Sequence, residues 1–549
     1  MGYDLMITGG RVADGTGNPW FWADIGIKNG KIVAVGKLEG ADASRVIDAR
    51  GRVVAPGFID IHSHADFIFP LSRHPELLAP FIRQGITTLV VGNCGLSPVP
   101  CNPATLHFLK DYTAFLQADE LSWQWSSVAE YLDLLASQGV ALNVVPLVSH
   151  GAIRIAVLGF ESRDPTGPEL GQMRALVEQS MEEGAFGLSA GLIYAPGMFS
   201  TTDELIALTE PVARYDGVFT CHVRGSSETL LSSTKEVLKI GEATGARVQH
   251  SHMEAFGKDH WPKIEDVLWL HEQARARGVD AGFDVIPYVA ANTTLTAILP
   301  PWAFVGGVDM LLERLASART RPEIKRDIDE VVPGWPPWLP GAWPHNLVGA
   351  TGWDNIWIIW VESNQNKHLE GKSLAQIGRE LNKSPFDAAA DIIVEEKGQA
   401  MGLYFGVSGD LETEEGLRCL LAHPAASINT DAILTGRGIP HPAAYGAFPR
   451  VLGHYARDLG LMRMEEAVRK MTSLAAQRFR LKWRGLIRED YAADITVFDE
   501  ATVADRATYL DPRQDPIGID AVIINGQVVL ERGVLDLSAF AGRVLRCNG

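Results

Sequence analysis

Hydrophobic and polar positions follow two textures along this chain. The ends carry short apolar runs separated by turns, at 5–7, 10–12, 23–27 and 31–35, and again at 493–498, 521–524 and 527–530. The run at 23–27 alternates with period two, the mark of a half-buried strand. Asn29-Gly30 and Asn525-Gly526 each lie between two apolar runs, where this dipeptide signals a tight hairpin. Two strand-rich ends around a long middle predict one small β-sandwich built from residues 1–57 and 480–549.

The middle, 58–479, alternates short apolar strands with amphipathic helices, the texture of an α/β fold with a parallel sheet. Strand candidates fall at 58–61, 88–91, 142–148, 187–193, 218–221, 247–249, 282–286 and 426–429. Eight such units predict a (β/α)8 TIM barrel, with its chemistry at the C-terminal ends of the strands. The gap between the last two candidates is too long for one loop, so an insertion with its own helices is expected over about 300–425. Within it, the Trp- and Pro-rich stretch 335–344 is unsuited to a helix. It reads either as a rigid surface loop or as an aromatic lid.

Composition narrows the class. The chain has 549 residues, 46% hydrophobic and 21% charged, as in ordinary soluble enzymes. A net charge of −18 argues against a nucleic-acid partner, which needs a basic surface. No run approaches the about 18 apolar residues of a membrane span, and the first residues lack the pattern of a signal peptide. Five scattered cysteines do not form a disulfide framework. The expected setting is cytoplasmic, with thiols reduced.

Metal-ligand residue types recur at the predicted strand ends. Strand one ends in His62-Ser63-His64, whose histidines share a face by period two. Strand two ends in Asn93-Cys94-Gly95, strand five in Cys221-His222, strand six in His250-Ser251-His252 and strand eight in Asn429-Thr430-Asp431. A barrel gathers these ends around one pocket, and thiolate with imidazole suits zinc. Cys101 and Cys221 are left as structural. Spacing does not choose between His250 and His252, although His252 lies nearer the C-terminal end.

These residues resemble the amidohydrolase superfamily, and within it the D-aminoacylase (N-acyl-D-amino-acid deacylase) group. The resemblance spans Pro56-Gly57-Phe58-Ile59-Asp60-Ile61-His62-Ser63-His64, Val91-Gly92-Asn93-Cys94-Gly95, Gly187-Leu188-Ser189-Ala190-Gly191-Leu192 with Tyr194, Asp284-Val285-Ile286-Pro287-Tyr288 and Gly446-Ala447-Phe448-Pro449-Arg450. It implies one or two Zn2+ ions. Cys94, His222 and His252 match the tight site, His62 and His64 a weaker one, and Asp431 the catalytic acid/base. It also decides strand six in favour of His252.

Two departures bear on the substrate. Where the group has a lysine this chain has Glu254, and where an arginine follows His-Pro it has Ala443. Those two cations, with the tyrosine matching Tyr288, hold the substrate carboxylate in that group. The alternative to their loss is compensation by the guanidinium of Arg437, in a longer loop after Asp431. Tyr194, Glu254, Tyr288, His150 and Arg437 are the candidate substrate contacts, with His150 equally readable as a core histidine.

The resulting expectation is a metal-dependent hydrolase of a C–N amide bond in an N-acyl compound. Its substrate is expected to be neutral or cationic and apolar or aromatic. The alternatives are an ordinary N-acyl-D-amino-acid deacylase, or a lactonase or cyclic-amide hydrolase on the same metal. The partner expected is a small-molecule amide, with no nucleic acid and no membrane; self-association into a homo-oligomer stays open.

Overall fold

The computed structural model describes residues 2–337 and 342–548. Both chain ends join one hydrogen-bonded sheet of nine strands. Leu5–Val12 pairs with Phe21–Lys28 on one edge, and on the other first with Val46–Asp48 and then with Val53–Pro56. The runs at 5–7 and 10–12 are a single strand, because an irregularity between Ile7 and Gly10 absorbs the polar interruption. The ends meet where Ile495–Phe498 lies antiparallel to Val53–Pro56, with Thr496 opposite Ala55. Leu5, Ile7, Ile25, Ile27, Ile495, Val497 and Ile523 close the core between them.

The two Asn-Gly turns form as the sequence predicts. Both residues of each have positive φ, 50° and 74° at Asn29-Gly30 and 47° and 84° at Asn525-Gly526, as a type I′ hairpin requires. The turns also pack on each other: a Cβ on Gly30 would meet the Asn525 carbonyl oxygen at 2.7 Å. A side chain is excluded there twice, by conformation and by contact.

The barrel strands are Phe58–Asp60, Ile86–Val91, Asn143–Pro146 continued by Val148–Ser149, Gly187–Gly191, Val218–His222, Arg247–His250, Ala281–Val285 and Ala426–Ile428. All neighbours pair in parallel. Strand three is broken at Leu147, so its first half pairs with strand two and its second with strand four. Ile86–Val91 is buried at every position, as a strand covered on both faces must be. The ring closes beyond the first and last strands, through a parallel bridge between Ser63 and Ala432.

The inserted segment has its own core. Ala290–Thr294, Met401–Phe405 and Ile356–Trp360 form an antiparallel sheet with Met401–Phe405 in the centre. Helices including Val308–Ala316, Leu374–Leu381 and Pro385–Glu395 pack against it through Leu311, Ile377, Ile393 and Ile358. The sheet begins ahead of residue 300, at Ala-Ala-Asn-Thr-Thr, a run without the apolar alternation that announces a strand. The centre of the Trp-Pro stretch, 338–341, lies outside the described residues. Its flanks, Pro337, Trp343 and Pro344, line a cavity of about 580 Å³ with Leu192, Met198 and His345. Among the described residues no helix is long and apolar enough to cross a membrane.

Candidate metal centre

The strand ends deliver their polar side chains to one buried cluster. His62 Nε2 lies 3.1 Å from Cys94 Sγ and 3.3 Å from Asp431 Oδ1. His64 Nε2 lies 3.1 Å from the same carboxylate oxygen. Ser63, between the histidines, turns the other way and donates through both N–H and Oγ to the Val90 carbonyl at 3.1 Å. The alternation read from the sequence therefore sorts these residues correctly. On the far side, Cys94 Sγ lies 3.7 Å from His222 Nδ1 and 3.5 Å from His252 Nε2.

Three of these residues hold a backbone conformation uncommon outside glycine: φ is +52° at Cys94, +32° at His252 and +45° at Asp431. Such conformations cost on the order of 1–3 kcal/mol each and persist where surrounding contacts enforce them. Here the His252 N–H donates to Asp284 Oδ1 at 2.8 Å, and the Asp431 N–H donates to the His62 carbonyl at 3.0 Å.

The charges are mutually dependent. Burial alone pushes the Cys94 thiol up, but the surrounding His62, His222 and His252 outweigh it and hold its pKa well below the ordinary thiol value. Burial likewise opposes ionisation of Asp431, yet His62 and His64 bring its carboxyl down to about 2. A thiolate and a carboxylate among imidazoles is a ready set of metal donors. Among the described residues, two overlapping groups have donor atoms within 4.8 Å of one another: His62, His64, Cys94 and Asp431, and Cys94, His222 and His252. Sulfur with two ring nitrogens fits zinc, and the shared Cys94 permits a second ion beside the first.

The candidate substrate contacts are dispersed. Tyr194 stands beside the cluster, its ring 5.3 Å from that of His222 and its hydroxyl 2.8 Å from Thr293 Oγ1. Glu254 turns its carboxylate to His252 Nδ1, at 3.2 Å. Tyr288 donates to Asp505 at 3.1 Å beneath the Arg450 guanidinium, 4.9 Å from its ring. Arg437 is held by Glu362 at 3.1 Å and the Ala118 carbonyl at 2.7 Å, over Trp360. His150 Nε2 is 2.8 Å from Glu204, which also pairs with buried Arg154, so that nitrogen serves the fold. Of the residues left out, Cys221 donates its thiol to the His222 carbonyl, and His250 stacks on His271.

Asp284 escaped the sequence reading. It is 1% exposed, accepts from the His252 N–H, from Gln249 Nε2 at 2.8 Å and from Asn429 Nδ2, and lies 3.4 Å from His62 Nδ1. One carboxylate thus supports ligands from strands one and six. Its signal was an acid inside a strand otherwise free of charge.

The amidohydrolase family model matches residues 45–233 and 415–530. D-aminoacylase of Alcaligenes xylosoxydans xylosoxydans is 34% identical over 99% of this chain and 97% of its own length. The chain belongs to the amidohydrolase family. A solved D-aminoacylase, described with a binuclear metal centre that one metal activates and a second attenuates, superposes with a TM-score of 0.79 at 34% identity, over 99% of this chain and 100% of its own. The N-acyl-D-glutamate deacylase of Bordetella bronchiseptica, solved with zinc and a phosphonate inhibitor, superposes with a TM-score of 0.81 at 31% identity, with both chains covered completely. In this amidohydrolase the matched regions hold His62, His64, Cys94, His222 and Asp431, while His252 falls between them. Its place beside Cys94 is given by the geometry.

Proposed function

We propose that this amidohydrolase uses zinc to cleave the amide bond of N-acyl-D-amino acids. The carrying observation is the buried S,N,N group of Cys94, His222 and His252 beside His62, His64 and Asp431. The zinc-bound Bordetella deacylase and the D-aminoacylases support the same choice of metal and bond. Cys94, His222 and His252 would hold the tighter ion and His62 with His64 the weaker one, since a thiolate with two imidazoles outbinds two imidazoles. A zinc ion there supplies Lewis-acid activation of water and of the scissile carbonyl.

Asp431 is the proton carrier. Held ionised by His62 and His64, it takes a proton from the attacking water and returns it to the leaving nitrogen, a role contributing about 10²–10⁴-fold. His62, His64 and Asp431 are each less than a tenth exposed, so bulk water is kept from the proton's path. Metal analysis with single-turnover hydrolysis of an N-acetyl-D-amino acid tests the whole reading; a protein that holds no metal and shows no hydrolysis would overturn it.

A second reading, hydrolysis of a neutral or cationic amide, is favoured by one observation. Ala443 and Glu254 supply no cation, and Arg437, the one alternative source, is committed to Glu362 and Ala118. Two charge-assisted hydrogen bonds to a carboxylate are worth at least about 3 kcal/mol, roughly a hundredfold in affinity. Glu254 itself faces His252. Comparing each N-acyl-D-amino acid with its uncharged amide separates the readings: preference for the free acid supports the first, and preference for the amide the second.

A further inference from the structure

We propose that Glu254 is a positioning residue that fixes the ring of His252 for metal binding and tightens the Cys94–His222–His252 site. This inference rests on the zinc reading above. A histidine binds a metal through an unprotonated ring nitrogen, and the group at its other nitrogen decides which one that is. His252 presents Nε2 to Cys94 at 3.5 Å and Nδ1 to Glu254 Oε1 at 3.2 Å. A carboxylate at Nδ1 keeps the proton there, leaves the Nε2 lone pair facing the thiolate, and raises the basicity of the ring. Carboxylates in this relation to a ligating histidine typically change metal affinity by 10–100-fold.

The placement of Glu254 is rigid. Its side chain is 7% exposed. The Met253 N–H donates to the Asp284 carbonyl at 2.7 Å, the Ala255 N–H to Ser408 Oγ at 3.1 Å and the Phe256 N–H to the Ser226 carbonyl at 2.7 Å. The segment is thereby tied to strand seven, the inserted segment and the strand-five loop at once. His252 is consequently held twice, its backbone N–H by Asp284 and its ring by Glu254. With φ at +32°, that backbone does not stay in place unaided.

Charge balance points the same way. Glu254 Oε2 is buried without a hydrogen-bond partner, a costly state for a carboxylate. It adds a further acid to a pocket that already holds Asp431, Asp284 and the Cys94 sulfur. A divalent cation between Cys94 and His252 would add positive charge beside these acids.

The test is zinc affinity, measured by competition with a chromophoric chelator, for the parent, Glu254→Ala and Glu254→Gln, together with melting of each metal-free protein. Glu254→Ala should weaken zinc 10–100-fold and Glu254→Gln by less, because its amide oxygen still accepts from Nδ1. The metal-free proteins should keep the cooperative melting of the parent, so that a loss of zinc affinity is read apart from a loss of fold. Parent-like affinity in both variants overturns the proposal and leaves the zinc reading standing. A parent without zinc affinity overturns both, so the two failures are distinct.

Discussion

The N–H of Asp431 donates to the carbonyl oxygen of His62 at 3.0 Å. That bond joins the last barrel strand to the first, and it links a proposed metal ligand to the proposed proton carrier. Ring closure and assembly of the candidate site are one structural event. The neighbouring His64 N–H, donating to the Ala432 carbonyl at 3.2 Å, completes the junction.

Cys94 belongs to both groups of donor atoms, so its loss should empty the centre. Purified protein is expected to keep at least one zinc equivalent through dialysis, and Cys94→Ala to keep none. Elemental analysis checks this; full retention by the variant would remove Cys94 from the ligand set.

Asp431→Asn should preserve fold and bound metal while lowering kcat by at least about 10²-fold. The amide keeps the shape of the side chain beside His62 and His64 but cannot take the proton. Hydrolysis at the parent rate across pH would show that another group carries it.

Arg437→Ala should leave the ratio of activity on a free N-acyl-D-amino acid to that on its uncharged amide unchanged. The guanidinium is occupied by Glu362 and the Ala118 carbonyl. A selective rise in KM for the free acid would place Arg437 in the substrate site.

Gly30→Ala should destabilise the protein by on the order of 1–3 kcal/mol. The residue has φ of 74°, and a Cβ would strike the Asn525 carbonyl oxygen. Denaturant unfolding measures the loss, while kcat stays at the parent value because the turn lies in the terminal sheet. Unchanged stability would mean the paired turns separate at little cost.

What the sequence determined by itself was whatever depends on local pattern. Period two sorted His62 and His64 from Ser63, the Asn-Gly dipeptides announced both hairpins, and alternating strands and helices announced the barrel. Relations across the chain had no such signal. Glu254 looks like a substrate contact in sequence, because the resembling group carries a substrate-binding lysine at that position. In the structure the backbone has left the strand at His252 with φ of +32°, so the Glu254 side chain meets Nδ1 instead. Arg437 likewise reads as a free cation until Glu362, 75 residues away in sequence, is found beside it. Asp284 acquires its place only when strands one, six, seven and eight stand side by side. Periodicity records which face a residue takes within its own element. Which groups share a buried carboxylate is decided by packing between elements, where desolvation penalises an unpaired charge.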